Sequence, residues 1–368
     1  MTGNFRIGAL FGIPFYVNFS WFLILALITW DYGRQFGSWG LGLASALLLF
    51  ASVLAHELGH SLVARRQGIP VNSITLFIFG GLASLGEESK TPAGAFWVAI
   101  AGPLVSLCLS LVLTAVRLFS GASGAIGAML GLLAAINLAL ALFNMLPGLP
   151  LDGGNVLKAI VWKITGKPYR GIAFASRAGQ VLGWIGISLG LLGVLEISPI
   201  GNIWTLLVGW FLLQNAGRYV QAASMQEQLS GLDAGDAVVP NSPIVNADIS
   251  LREFANHHII GNPANWRKYF VVDAEGQWIG EISVDAMNAV STNDWWNVTV
   301  RDLMQPKSET ATIPATESLL EVVSRLEKQP ELVVLRSNGE LVGLLEKTSV
   351  MALLQRRAEA KLADGKAS

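Results

Sequence analysis

Six long apolar stretches dominate the first 220 residues of this 368-residue chain and constrain its fold more than any other feature. A helix needs about 20 apolar residues to cross the hydrocarbon core of a bilayer, so stretches of this length predict transmembrane helices. Only 14% of the residues are charged, against roughly a quarter in soluble domains. We therefore predict a multi-pass α-helical membrane protein with about six spans, at 13–30, 40–64, 94–119, 125–146, 178–195 and 200–217.

The distribution of charge divides the chain into two parts. Residues 1–220 contain 12 Lys and Arg against 6 Asp and Glu, whereas residues 221–368 contain 13 against 20. This asymmetry predicts a membrane domain (1–220), a linker (221–231) and an acidic soluble domain, for which nucleic acid is not an expected partner. The single cysteine, Cys108, excludes an intrachain disulfide framework.

Basic residues in the short loops indicate how the chain crosses the membrane. If the N-terminus is cytoplasmic, ten basic residues fall on the inner side and only Arg34 and Arg117 on the outer side, which agrees with the positive-inside rule. The N-terminus and the C-terminal domain are then both cytoplasmic, in a plasma membrane or a thylakoid-type membrane. The ten inner residues are Arg6, Arg65, Arg66, Lys90, Lys158, Lys163, Lys167, Arg170, Arg177 and Arg218.

One segment, 70–89, departs from the helical pattern. In PVNSITLFIFGGLASLGEES, branched apolar residues alternate with Thr75, Phe77 and Phe79, and a pair of glycines ends the run, which favours a β-hairpin over a helix. Unpaired strand edges cannot face lipid. We therefore expect a membrane-associated hairpin that is buried in protein, lines a cavity or lies at the membrane interface.

A cluster of ionisable residues lies inside the second apolar stretch. His56, Glu57 and His60 are the ionisable residues between Arg34 and Arg65. On a helix, histidines four residues apart share one face and can bind one zinc ion, which leaves Glu57 free to act on a bound water. Ionisable groups are costly in hydrocarbon unless function requires them. The pattern predicts a zinc centre inside the membrane, roughly 7 to 14 Å from the cytoplasmic end of the span.

A catalytic zinc site needs a third protein ligand and an open position for water. The best candidate is Asp152 in NMLPGLPLDGGN (144–155), where prolines and glycines break the fourth apolar helix. Broken backbone at membrane depth is tolerated where it lines protein or a wet cavity. As an alternative, Asp152 caps a helix that begins near Gly153. Glu87 and Glu88 are the other candidate ligands.

This set of residues fits the hydrolysis of a peptide bond. Zinc lowers the pKa of its bound water and polarises a carbonyl, while Glu57 takes the proton as general base and delivers it to the leaving amine. Asn144 and Asn137 can share one helix face, where either amide could stabilise the oxyanion or hold the substrate backbone. The alternative for both is a polar contact between helices.

The motifs together resemble the site-2 protease family of intramembrane zinc metalloproteases. The likeness covers about residues 5–220 and rests on ligand motifs that occur in the family's order. They are HELGH at 56–60, FNMLP at 143–147 and PLDGG at 150–154, with FGGLAS at 79–84 and AGP at 101–103 as further matches.

The resemblance implies a role for each matching residue. It implies that His56, His60 and Asp152 bind zinc, that Glu57 is the catalytic base and that Asn144 contacts the substrate. It also implies that the hairpin near 70–86 presents an edge strand to an unwound substrate segment, whose exposed amides strand addition would hold. The chain departs from many members of the family at two positions. It has Ala95 where they carry Glu, and Ser106 where they carry Asn.

Two similar modules follow the apolar stretches. YFVVDAEGQWIGEI (269–282) matches LVVLRSNGELVGLL (332–345) as strand, turn and strand, each after a helix-like stretch. The modules, at 232–291 and 298–360, resemble a tandem CBS pair, which implies a soluble α/β domain. Many such pairs bind adenine nucleotides through an acidic residue, where this chain has Ser349 and Ala286, the latter beside Asp285. Nucleotide binding, dimerisation and regulation stay open.

We therefore expect an intramembrane zinc endopeptidase that carries out regulated intramembrane proteolysis. Its partners would be transmembrane or membrane-anchored protein substrates and the lipid bilayer, with a homodimer through the CBS pair as an option. One alternative is a metal transporter or sensor, but transport normally needs polar groups along several helices, and this chain has few. Another is an inactive scaffold with structural zinc, which would not need Glu57.

Overall fold

The computed structural model describes residues 4–77, 80–260, 266–307 and 310–364. Within it the chain forms two compact units, Met1–Ser224 and Met225–Ser368. Long helices with one small sheet make up the first unit. Its helices are α1 (Phe19–Gln35), α2 (Trp39–Arg66), α3 (Pro92–Phe119), α4 (Gly124–Asn144), α5 (Asp152–Thr165), α6 (Pro168–Val194) and most of α7 (Ile203–Leu229).

Four of the helices in the described residues, α2, α3, α4 and α6, are long and apolar enough to cross a membrane. The first predicted span is displaced, because 13–18 form a strand and α1 begins at Phe19 with the Asn18 side chain accepting a hydrogen bond from the Ser20 amide. Helix α1 has 17 residues, fewer than the ~20 that span hydrocarbon. The count of six spans therefore stays a prediction beyond these four.

The predicted hairpin is present but belongs to a larger sheet. Its strands are β3 (Val71–Phe77) and β4 (Gly80–Leu85), while residues 78 and 79 lie outside the described part of the chain. The N-terminal strands β1 (Asn4–Leu10) and β2 (Ile13–Asn18) complete a four-stranded sheet in the order β1-β2-β3-β4. Strand β2 pairs parallel with β3. Strand β4 is consequently one edge of the sheet.

Helices α2 and α3 pack closely where α2 carries its histidines. A Cβ atom built on Gly59 would lie 2.9 Å from the Ala101 carbonyl oxygen and 2.9 Å from a methyl group of Val105. Small residues of this kind let two membrane helices approach backbone to backbone. Helix α5 also packs on α3, so three helices meet around the ionisable cluster.

The second unit contains two copies of one topology. In each copy the central strand pairs parallel with the first strand and antiparallel with the third. The first copy has β5 (Ile244–Asn246), α8 (Leu251–Phe254), β6 (Lys268–Val272) and β7 (Trp278–Ser283); the second has α9 (Val300–Leu303), β8 (Gln305–Pro306), β9 (Thr312–Pro314), α10 (Leu319–Leu326), β10 (Glu331–Leu335), β11 (Leu341–Glu346) and α11 (Lys347–Asp364), with β8 pairing on β7.

The VTVRDLM segment contains the hydrogen-bonded cap that begins helix α9. The Asp302 carboxylate accepts hydrogen bonds from the Thr299 amide and hydroxyl at 2.8 Å each, which forms a capping box at the start of α9. These two bonds hold the pKa of Asp302 below its ordinary value, and the bond from the Thr299 amide has the larger effect.

The two repeats pack against each other. Phe270 and Trp278 of the first form one buried cluster with Val333, Leu341 and Leu344 of the second.

Candidate metal centre

Helix α2 presents His56 and His60 to the same point. The two side chains lie one turn apart and both are buried, with their Nε2 atoms 3.3 Å from each other. The spacing of four residues produces this convergence, because such residues lie above one another on a helix. One ion could therefore contact both rings.

Asp152 approaches the histidines from the start of α5. Its Oδ2 atom lies 3.1 Å from Nε2 of His56 and its Oδ1 atom 3.3 Å from Nε2 of His60. In the described residues, His56, His60 and Asp152 form a group whose ligand atoms all lie within 4.8 Å of one another. Leu151 occupies the N-cap position of α5, and its side chain makes no capping bond. The broken segment at 145–151 thus brings Asp152 to the pair of histidines.

Hydrogen bonds on the far side of each ring fix its orientation. The Nδ1 atom of His60 lies 2.6 Å from the Val98 carbonyl oxygen, which can only accept, so Nδ1 carries the proton. Nε2 of a neutral His60 then directs a lone pair at His56 and Asp152. The Nδ1 atom of His56 lies 2.9 Å from Oγ of Ser106. Metal-binding histidines are typically oriented by such outer partners.

The donor set fits zinc. Two imidazole nitrogens and a carboxylate are a common set of protein ligands for catalytic zinc, which keeps a further position open. Without a metal ion, Nε2 of a neutral His60 would face the Asp152 carboxylate 3.3 Å away as one acceptor against another, which is unfavourable in a buried site. A zinc ion between these atoms would satisfy all three residues.

Two glycines make room for the reactive groups. A Cβ atom on Gly102 of α3 would lie 2.2 Å from Nε2 of His60 and 2.7 Å from Nε2 of His56. On β4, a Cβ atom on Gly81 would lie 2.4 Å from Cγ of Glu57. The AGP and FGGLAS motifs therefore contribute empty space next to the metal ligands and next to the candidate base.

Glu57 and the candidate ligands share a cavity of about 590 Å³. Glu57 packs against β4, where a Cβ atom on Gly81 would meet its side chain, and Ala83 of the same strand lines the cavity. Asn144, at the end of α4, lines the same cavity. The edge strand, the candidate base and the Asn144 amide thus face one space beside the candidate metal centre.

Asn137 lies elsewhere. It is fully buried, and its amide nitrogen donates to Oγ of Ser52 on α2 at 3.1 Å and to the Leu133 carbonyl at 2.8 Å. This is the polar contact between helices that the sequence offered as an alternative. The structure brings Asn144, but not Asn137, to the cavity.

The other candidate ligands have different partners. Glu88 accepts a hydrogen bond from Nζ of Lys158 at 2.6 Å, and Glu87 lies 3.8 Å from Nζ of Lys90 at the surface. Sequence reasoning missed Ser106 and Lys158. Ser106 appeared there as a departure from the family pattern, and Lys158 as one of ten loop cations.

In the second unit, Ser349 is engaged at the start of α11. Its hydroxyl donates to the Glu346 carbonyl at 2.8 Å and accepts from the Glu346 amide at 3.1 Å. Asp285 is exposed and lies 3.6 Å from Arg267. Nucleotide binding by the pair stays a prediction.

Comparisons with known proteins place this chain among zinc metalloproteases. The family model described as peptidase family M50 matches residues 44–124 and 120–186, and the CBS domain model matches residues 300–356. A Synechocystis protein named as a zinc metalloprotease is 54% identical over 97% of both chains. Rip3 of Mycobacterium tuberculosis, also named as a zinc metalloprotease, is 31% identical over 96% of this chain and 93% of its own.

One solved structure can be added to these relatives. The site-2 protease from Methanocaldococcus jannaschii is 30% identical, and the match covers 59% of this chain and 95% of that chain with a TM-score of 0.44.

Proposed function

This chain belongs to peptidase family M50, the zinc metalloproteases of the site-2 type, and we propose that it cuts transmembrane or membrane-anchored protein segments within the bilayer. The observation that carries the proposal is the position of Glu57 beside His56, His60 and Asp152 in one cavity. That cavity lies among helices long and apolar enough to span a membrane.

His56, His60 and Asp152 would hold the zinc ion. When bound, zinc lowers the pKa of a coordinated water and polarises the carbonyl of the bond to be cut. Val98 and Ser106 keep the two imidazoles turned toward that position. Glu57 lies in the same cavity and against β4, so it is placed to accept a proton and pass it to the leaving amine.

The edge of β4 and the Asn144 amide would position the substrate. Gly80, Gly81 and Ala83 line the cavity, and an edge strand offers unpaired amides and carbonyls to an extended peptide. A substrate helix must unwind before its backbone can be cut, and strand pairing would replace its lost hydrogen bonds. Asn144 lines the cavity from α4 and would donate to the substrate carbonyl.

Cleavage would occur nearer the cytoplasmic face of a plasma or thylakoid-type membrane. The basic residues support this orientation, since the end of α2 carries Arg65 and Arg66 close after His60. A cytoplasmic N-terminus and a cytoplasmic second unit follow from the same rule.

The modules at 232–291 and 298–360 would regulate activity, substrate access or dimerisation. The CBS domain match at 300–356 supports such a role for the second module. The first module has the same strand topology. The pair would act either by binding an adenine nucleotide or by forming a homodimer.

Membrane proteomics identifies the substrates. Membrane fractions of cells with the wild-type chain are compared with those carrying Glu57→Gln. Uncut single-span proteins should accumulate in the variant, and their cytoplasmic fragments should disappear. If no membrane protein changed in length or abundance, the proposed activity would be wrong.

A further inference from the structure

Lys158 is a buried cation that the proposed reaction does not use. It lies on α5, is 8% exposed and lines the same cavity as Glu57 and Asp152. Its Nζ atom donates to Oε2 of Glu88 at 2.6 Å. A buried ammonium group without a partner costs several kcal/mol, so a carboxylate at this place is a requirement of the cavity.

The two partners are unequally held. The side chain of Lys158 is 10% exposed, whereas that of Glu88 is 75% exposed. Glu88 also lies in the segment between β4 and α3, outside any strand or helix. Exchange of Glu88 for another carboxylate is therefore inexpensive, because Lys158 stays in place and keeps an anionic partner. The carboxylate, and not the cation, is the exchangeable half of the pair.

The spacing along α5 relates Lys158 to the metal centre. Lys158 follows Asp152 by six residues, which is about 9 Å along a helix axis. An extended peptide advances about 3.3 Å per residue. Where the bound peptide runs alongside α5 through the shared cavity, a side chain about three residues from the cut bond would therefore reach Lys158.

We propose that Lys158 binds an acidic side chain of the substrate, two to four residues from the bond that is cut, in place of Glu88. The inference rests on the proposed function and names a substrate class for it. A substrate Asp or Glu restores the ion pair after Glu88 leaves. A neutral residue leaves the original pair intact, and a substrate Lys or Arg meets a buried ammonium. The expected order of preference is acidic, neutral, basic.

A library of single-span segments tests this preference without a known substrate. Full-length protein is reconstituted in liposomes with the library, in which each of five positions on either side of the segment's centre carries Glu, Gln or Lys. Cut sites are read by mass spectrometry. The wild type should cut members with Glu at one position two to four residues from the bond about tenfold faster than those with Gln.

Variants separate recognition from a structural role. Lys158→Gln should lose the preference, so that its cleavage rates on Glu and Gln members become equal, and Lys158→Arg should keep the preference. Glu88→Gln removes the internal competitor, so the preference for Glu should rise. Lys163→Gln, at an exposed lysine of the same helix, is the matched control and should behave as wild type.

The outcomes distinguish this inference from the proposed function. Cleavage that depends on Glu57 but shows no preference for acidic residues would overturn the role of Lys158 alone. An equal loss of all cleavage in Lys158→Gln and Glu88→Gln would also overturn it, because it would make the pair a structural contact. Absence of any Glu57-dependent cleavage would overturn the proposed function instead.

Discussion

The imidazole of His56 and the hydroxyl of Ser106 connect α2 to α3, with Nδ1 and Oγ 2.9 Å apart and both side chains buried. The contact determines how His56 is turned, and therefore where its Nε2 atom points. Many site-2 proteases carry Asn where this chain has Ser106, and an amide could make the same contact.

Ser106→Ala should weaken zinc binding about 10- to 100-fold, the usual cost of removing an outer partner of a metal-binding histidine. Ser106→Asn should retain most of the affinity. Zinc affinity is measured by competition with a chelator. Ser110→Ala is the control, since Ser110 on the same helix donates to the Ala134 carbonyl. Equal affinity of Ser106→Ala and wild type would contradict this role.

Gly102→Ala should abolish zinc binding. The new Cβ atom would lie 2.2 Å from Nε2 of His60, which forces the ring or α3 to move. Zinc per chain is measured by elemental analysis of the purified protein. In contrast, a Cβ atom on Gly217 would meet no atom within 4 Å, so the Gly217→Ala protein should keep its zinc. A fully loaded Gly102→Ala protein would show that the glycine is not needed for the ligand geometry.

Gly81→Ala should separate metal binding from catalysis. Its Cβ atom would lie 2.4 Å from Cγ of Glu57 and would displace the base without touching a ligand. We expect wild-type zinc content and a loss of cleavage of about 100-fold or more. Zinc content and cleavage rate are measured on the same preparation. Cleavage at the wild-type rate would mean that Glu57 need not be held in this position.

Phe270→Ala should destabilise the second unit by about 3 to 5 kcal/mol, the usual cost of removing a buried aromatic side chain. Phe270 is 4% exposed and packs edge-on against Trp278 at a centroid distance of 5.6 Å. Chemical denaturation measures the change, with Trp296→Ala as control because Trp296 is 66% exposed. If the modules regulate the protease, cleavage by Phe270→Ala should also change in rate or substrate choice.

The sequence could predict the candidate ligands because their signals are local. His56 and His60 are four residues apart on a helix, and Asp152 is marked by the prolines and glycines around it. Ser106 and His56 are 50 residues apart in the chain, and Lys158 and Glu88 are 70 apart. No periodicity connects such pairs, since their contacts depend on how α2 packs on α3 and on where the segment between β4 and α3 meets α5.

The N-terminal sheet shows another limit. Residues 13–18 continue directly into the apolar run of α1, so their composition predicted a single span at 13–30. Their burial alternates with a period of two, which is typical of a strand. A turn with positive φ at Phe11 and Gly12 precedes them. Gly12 could have indicated this turn from the sequence. Phe11 could not, because a bulky residue rarely adopts positive φ.

The cleavage rate of the Glu57→Gln variant tests most directly the claim that Glu57 is the catalytic base of a zinc protease. Purified full-length protein is reconstituted with a single-span substrate from the proteomic comparison, and zinc per chain and cleavage rate are both measured. The variant should bind one zinc ion as the wild type does, because His56, His60 and Asp152 are unchanged, and should lose cleavage about 1,000-fold or more. Cleavage near the wild-type rate by the zinc-loaded variant would contradict the account.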